Sequence, residues 1–168
     1  MSLDQQTFPS PSVLERTAPV DQLELDRALF VGAKYESYYQ AQFGKITPKK
    51  QMVGFNIAAF FLGVVWLFYR KMYSYGFMAI GLIVVIGMVE ILFGIECSGA
   101  NIGLAVAFGM FGNTLYKHHV DKQIVKIRQL GNGNLKTDLE NHGGTNLVAG
   151  TILLVIWLGL VALAISAS

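Results

Sequence analysis

The chain has 168 residues, 53% of them hydrophobic and only 14% charged, where an average soluble domain is about a quarter charged. A mean hydropathy of +0.46 and the gathering of apolar residues into four runs after Gln51 argue against a water-soluble fold and for membrane helices. The net charge of +2 is too small for a nucleic-acid-binding surface, and the single cysteine, Cys97, excludes an internal disulfide framework or a cysteine-based zinc site.

Residues 1–20 are rich in Ser, Thr, Gln and Pro and read as a disordered tail, because such a composition buries too little surface to offset its ordering entropy. No apolar core follows a basic start, so no cleavable signal is expected and the first apolar run must itself direct insertion. Residues 21–50 read as short cytoplasmic amphipathic helices. Asp21 can cap the first, which ends near Gly32. In the second, Tyr35, Tyr38, Tyr39 and Phe43 recur at i, i+3, i+4 and i+8 and share one face. That face suits packing on the membrane surface or docking a partner. Thr47-Pro48-Lys49-Lys50 then breaks the helix.

Residues 51–168 form the expected membrane domain, with hydrophobic segments 52–69, 73–95, 101–116 and 147–165 and a cytoplasmic loop 117–146. The first segment, closed by Arg70-Lys71, is at the lower limit for crossing a core of about 30 Å at about 1.5 Å per residue. The second is long enough without qualification, the third short and glycine-rich, the fourth almost purely aliphatic. Within the loop, residues 120–130 have a helical pattern that Gly131-Asn132-Gly133-Asn134 ends.

Charge decides the topology. Four crossings would place Arg70, Lys71 and the basic 117–146 loop on the side opposite the N-terminal lysines, against the positive-inside rule. If 52–69 instead enters one leaflet and returns, turning near Gly63, all thirteen Lys and Arg fall on the cytoplasmic side. The expectation is therefore an all-α multi-pass membrane protein with a cytoplasmic N-terminus: three transmembrane helices plus a re-entrant or short first hydrophobic segment. Its irregular backbone would need shielding by protein, which the glycine-rich third segment can supply.

The blocks Phe55-Asn56-Ile57-Ala58-Ala59-Phe60-Phe61, Trp66 and Tyr69-Arg70-Lys71-Met72, followed by Gly112-Asn113, Leu115-Tyr116 and His119, resemble a bacterial family of small inner-membrane proteins of unknown function. The resemblance runs from about Leu29 to Val120. It implies a membrane fold and an inner-membrane location, and supplies no activity to transfer.

Six positions and one acid stand out. Glu90 is an ionisable group inside an apolar segment, costly by up to about 3 kcal/mol at mid-bilayer; it is a candidate proton or cation site, or a packing carboxylate bonded to Asn101 or Asn113. Asn56 and Asn113 are amides in apolar runs and must find partners, most simply each in another helix. Arg70 and Lys71 are a topology anchor or an anionic-lipid contact. Tyr38 and Tyr39 belong to the aromatic stripe. His118, His119 and Asp121 suggest a metal site only superficially, since adjacent helical residues point about 100° apart. No nucleotide, metalloprotease or hydrolase motif occurs, so no cofactor, metal site or catalytic residue is expected.

The function that follows is a non-catalytic scaffold, assembly or regulatory partner in the inner membrane, associated with the bilayer and with a membrane-protein partner or a second copy. An oligomeric small-solute or ion transport component using Glu90 is one alternative. An anionic-lipid sensor using Arg70, Lys71 and the basic loop is the other.

Overall fold

The computed structural model describes residues 19–94, 98–131 and 133–167. The tail before Pro19, Cys97 with the loop expected around it, and the Asp21 side chain lie outside that description. Among the described residues the chain is helical and without strands: α1 (Pro19–Val31), a π-helical turn (Tyr35–Tyr39), α2 (Gln40–Lys45), α3 (Ile57–Leu62), α4 (Val64–Tyr69), α5 (Tyr73–Phe93), α6 (Ser98–Leu130), α7 (Leu135–His142) and α8 (Leu147–Ala167). The short 101–116 segment and the helical 120–130 pattern are one continuous 33-residue helix, α6. It runs about 50 Å at the usual rise and is the axis on which everything else is hung.

The N-terminal segments fold onto the C-terminal half of α6. Gly32, at φ +75, closes α1 with its amide on the Ala28 carbonyl, a left-handed position that glycine adopts without a Cβ penalty. The π-turn and α2 then direct Tyr35, Tyr39 and Phe43 into the core. Tyr39 and Phe43 meet the fully buried Tyr116 ring of α6 at centroid distances of 4.8 and 6.0 Å. The aromatic stripe read from the sequence therefore faces inward. Lys117 caps α2 by donating to the Phe43 and Ile46 carbonyls, the end of a helix where a cation is favoured.

The first apolar run is not one helix. Gly63, at φ +44 and ψ −111, separates α3 from α4, and at six residues each is only about 9 Å long. Both ends of the run return to one stretch of α6. At its start Thr114 Oγ1 donates to the Gln51 carbonyl, and at its end the Arg70 guanidinium lies over Tyr116. Between them the Asn56 amide bonds the Gly109 carbonyl and Gly63 approaches Phe108. The hairpin thus extends along α6 by the Phe108–Thr114 interval, about 9 Å. Gly109 and Gly112 permit this: a Cβ on Gly112 would sit 2.9 Å from Ala59 Cβ, and one on Gly109 would sit 2.4 Å from the Phe55 ring.

Two stretches are long and apolar enough to cross a membrane, Tyr73–Phe93 and Leu135–Leu163, the second containing the greater part of α8. A core helix of a globular protein would be mostly buried, whereas only 11% and 6% of these windows are covered. Close packing on α4 is seen at one end of each. Phe68 of α4 packs on Gly76 of α5, and Tyr69 packs on Gly150 of α8. Asn146 joins the three: its side chain caps α8 through the Ala149 amide and donates to the Tyr73 hydroxyl, while its own amide binds the Tyr69 carbonyl.

Opposite this apolar tier, α1, α7 and the end of α6 form a polar cap. Arg27 makes a two-point contact with Asp121, 2.8 Å at each nitrogen, and pairs with Glu24, which also accepts from Tyr35. Asp26, 7% exposed at its side chain, pairs with Arg128. A planar two-point pair fixes orientation as well as distance. Lys71 reaches α7 through the Asn141 carbonyl, and the Gly144 amide binds the Phe30 carbonyl.

Gly143 lies so close to α1 that a Cβ there would stand 2.0 Å from the Phe30 carbonyl oxygen. Gly143→Ala should therefore displace α7 from α1 and lower stability by about 2 kcal/mol or more, whereas Gly81→Ala on α5, with nothing within 4 Å, should be neutral. Thermal unfolding of both variants in detergent is the check, and equal midpoints would contradict the packing.

His119 in the cap is 8% exposed, with ring contacts to Phe30 and Tyr75. Burial, aided by the Lys122 charge, pushes its pKa down to about 4. The unfolded chain accepts a proton near 6.5 that the folded chain refuses until about 4. Stability is therefore full above about 6.5 and falls as pH drops through that window, by up to about 3 kcal/mol. Denaturation between pH 7 and 4 should show this loss in the native protein and a flatter profile in His119→Phe.

Candidate functional site

At the junction of cap and apolar tier, Arg70 ends α4. The chain turns sharply there, with Lys71 at φ +58 and the Met72 amide reaching back to the Leu67 carbonyl. This closure of the helix end holds the Arg70 side chain under the N-terminal segments. Arg70 is only 6% exposed. Its guanidinium carbon lies 4.8 Å from the Tyr39 ring centroid, 5.1 Å from Tyr116 and 5.6 Å from Tyr69.

These rings do not replace a counter-ion. Each cation–π contact is worth about 0.5–2 kcal/mol, while withdrawing an ion from water costs several kcal/mol. Burial holds the Tyr39 phenol above its ordinary pKa even beside the arginine charge, so it faces Arg70 as a neutral ring. Among the described residues Arg70 Nε and Nη1 and the Tyr116 hydroxyl are buried with no partner in hydrogen-bonding geometry. No carboxylate pairs with Arg70 among the described residues.

Arg70 lines a cleft of about 550 Å³ between the π-turn and α3, whose lining also includes Lys34, Ser37, Asn56 and Leu62. Among the described residues none of the lining side chains is acidic. Its floor is an amide clamp. Asn56 caps α3 through the Ala59 amide and donates to Asn113 Oδ1 at 3.0 Å. Asn113, fully buried, donates to the Val53 carbonyl and to the Tyr38 hydroxyl, each at 3.2 Å. One side chain of α6 thus fixes the start of the first apolar run and the π-turn together. A π-turn at the rim of a cleft is a recurrent feature of functional sites.

Of the residues singled out in the sequence, Asn56, Asn113, Tyr38, Tyr39 and Arg70 come together here. Lys71 is adjacent in sequence but turned away onto α7. Asn113 takes its partners from Tyr38, Asn56 and Val53. Glu90 is half-buried on α5, fourteen residues beyond the Gly76 contact with α4 and so about 20 Å along that helix. His118 is exposed and His119 buried, and among the described residues no three His, Cys, Asp or Glu side chains cluster as ligands. Sequence reasoning did not single out Lys34, Ser37 or Asn146 as site residues, and Trp66 and Tyr69 entered it in the resemblance blocks rather than as site residues. The i, i+4 spacing of Tyr35 and Tyr39 was the one available signal that the segment has an inner face.

The fold and cleft define an all-helical protein with two apolar, outward-facing helices and a polar cap closed over a buried arginine. The chain belongs to the family described as protein of unknown function DUF2628, which matches residues 15–122. No curated protein and no solved structure matches it. The matched region contains the whole cleft, while α7 and α8 follow it.

Asn113→Leu would strand Asn56 Nδ2 and the Val53 carbonyl away from water, at about 1–3 kcal/mol for each orphaned group. The expected result is a loss of several °C in the unfolding midpoint and proteolytic opening of the segment before α3.

Proposed function

We propose that this is a multi-pass protein of the bacterial inner membrane, with a cytoplasmic N-terminus, three crossings and a re-entrant first segment, that acts without catalysis as a scaffold or regulatory partner. The observation that carries the topology is the return of both ends of the 52–69 run to the Asn113–Tyr116 turn of α6. A crossing segment would separate its ends by about 30 Å, whereas here α3 and the Phe55-Asn56 pair before it lie against Gly109 and Gly112 of α6, which let the backbones approach.

The disposition of charge supports the same reading. Lys71 bonds α7, Lys117 bonds the end of α2, and Arg27 and Arg128 tie α1 to α6. Basic residues on one face of a membrane protein mark its cytoplasmic side. Tyr39 is buried and Tyr38 half-buried, and both line the cleft, so a regulatory contact would be made there rather than on an exposed aromatic stripe. A transport role for Glu90 draws less support, because that residue stands about 20 Å along α5 from the cleft region.

Single cysteines at Ser74, Ser98, Thr137 and Ser166 in a Cys97→Ser background test the topology. A membrane-impermeant thiol reagent applied to intact cells should label positions 98 and 166 alone. Labelling from outside at 74 or 137 would establish four crossings and overturn the re-entrant reading.

A further inference from the structure

We propose that the Arg70 cleft binds the phosphate headgroup of one anionic membrane lipid, with an acyl chain lying along α3. The proposal rests on the reading of α3 as membrane-embedded and names the ligand of the site described above.

The charge of the cleft specifies an anion. Arg70 and Lys34 line it and, among the described residues, no acidic side chain does. Arg70 is nine-tenths buried, and among those residues its Nε and Nη1 have no partner in hydrogen-bonding geometry. Set in the wall of the cleft, the guanidinium brings a positive charge and a planar donor set suited to phosphate oxygens. Ser37 stands exposed on the rim beside Lys34 and adds a hydroxyl donor.

The other wall specifies an amphiphile. Phe55, Ile57 and Leu62 line the same cleft and are 47%, 65% and 37% exposed. A free phosphate ion has no use for an apolar wall, whereas a lipid presents its phosphate and its hydrocarbon to the two sides at once. About 550 Å³ is also in the range of sites that hold a whole small organic group. The cleft lies where α4 ends in Tyr69 and Arg70, with Trp66 in its wall, the combination of rings and cations found at headgroup level.

The test is native mass spectrometry of the full chain transferred from nanodiscs containing equal phosphatidylglycerol and phosphatidylcholine. The protein should retain one phosphatidylglycerol in preference to phosphatidylcholine. Arg70→Gln should reduce that retention at least about ten-fold. Lys34→Glu, an exposed change that leaves the core intact, should reduce it about three-fold. Lys71→Gln, whose ammonium is engaged on α7, should retain lipid like the native chain.

Equal retention of the two lipids overturns the proposal, as does native-like retention in Lys34→Glu together with Arg70→Gln. Displacement of the lipid by millimolar inorganic phosphate would reassign the cleft to a soluble anion, and a copurifying protein in place of lipid would reassign it to a peptide partner. Thiol labelling of the same preparations separates the two readings. Correct labelling without retained lipid defeats the site alone, and retained lipid with external labelling at position 74 or 137 defeats the topology alone.

Discussion

A charge enclosed with no counter-charge among the described residues constrains the structure around it. Arg70 is held against three tyrosine rings contributed by three segments: Tyr39 from the π-turn, Tyr69 from α4 and Tyr116 from α6. The rings soften the desolvation of the guanidinium without cancelling it. The geometry therefore depends on the cap being closed. With the π-turn lifted away, Arg70 would return to water and α4 would lose the contact that holds its end beside α6.

Two neighbouring devices keep the cap closed. The Asn113 clamp joins the π-turn, the residues before α3 and α6 through a single buried amide, and such networks are worth most when every member is satisfied. Farther out, Arg27 and Arg128 tie α1 to α6 through Asp121 and Asp26. The first device is dry and positional. The second is partly exposed, so solvent screens it, and its main effect is to set the register of α1.

The apolar tier is organised differently. α5 and α8 pack closely on α4 at their cap-proximal ends, through Gly76, Gly150 and Asn146, and present isoleucine, leucine, valine and phenylalanine outward along most of their length. Small residues at the points of approach and bulky ones elsewhere suit helices that pack by close contact rather than by hydrophobic collapse. The cleft at Arg70 lies where the cap and the α3–α4 hairpin meet.

Much of this was legible in the chain itself. Composition and run length determined that the protein is helical and apolar, since a 21-residue aliphatic run such as Leu147–Ala167 satisfies its backbone internally whatever surrounds it. The break at Gly63 and the need of Asn56 and Asn113 for partners also followed from residue chemistry. What the sequence could not decide was which partner each polar group takes. Asn113 could equally have met Glu90, and it meets Asn56 and Tyr38 because α3 lies against Gly109 and Gly112. The merging of residues 101–116 with 120–130 into one helix was hidden because α6 changes from an apolar to an amphipathic environment along its length, so no single period describes it. The inward turn of the tyrosine stripe and the burial of Arg70 were likewise tertiary decisions: a local pattern fixes which residues share a face, and only packing against α6 fixes what that face meets.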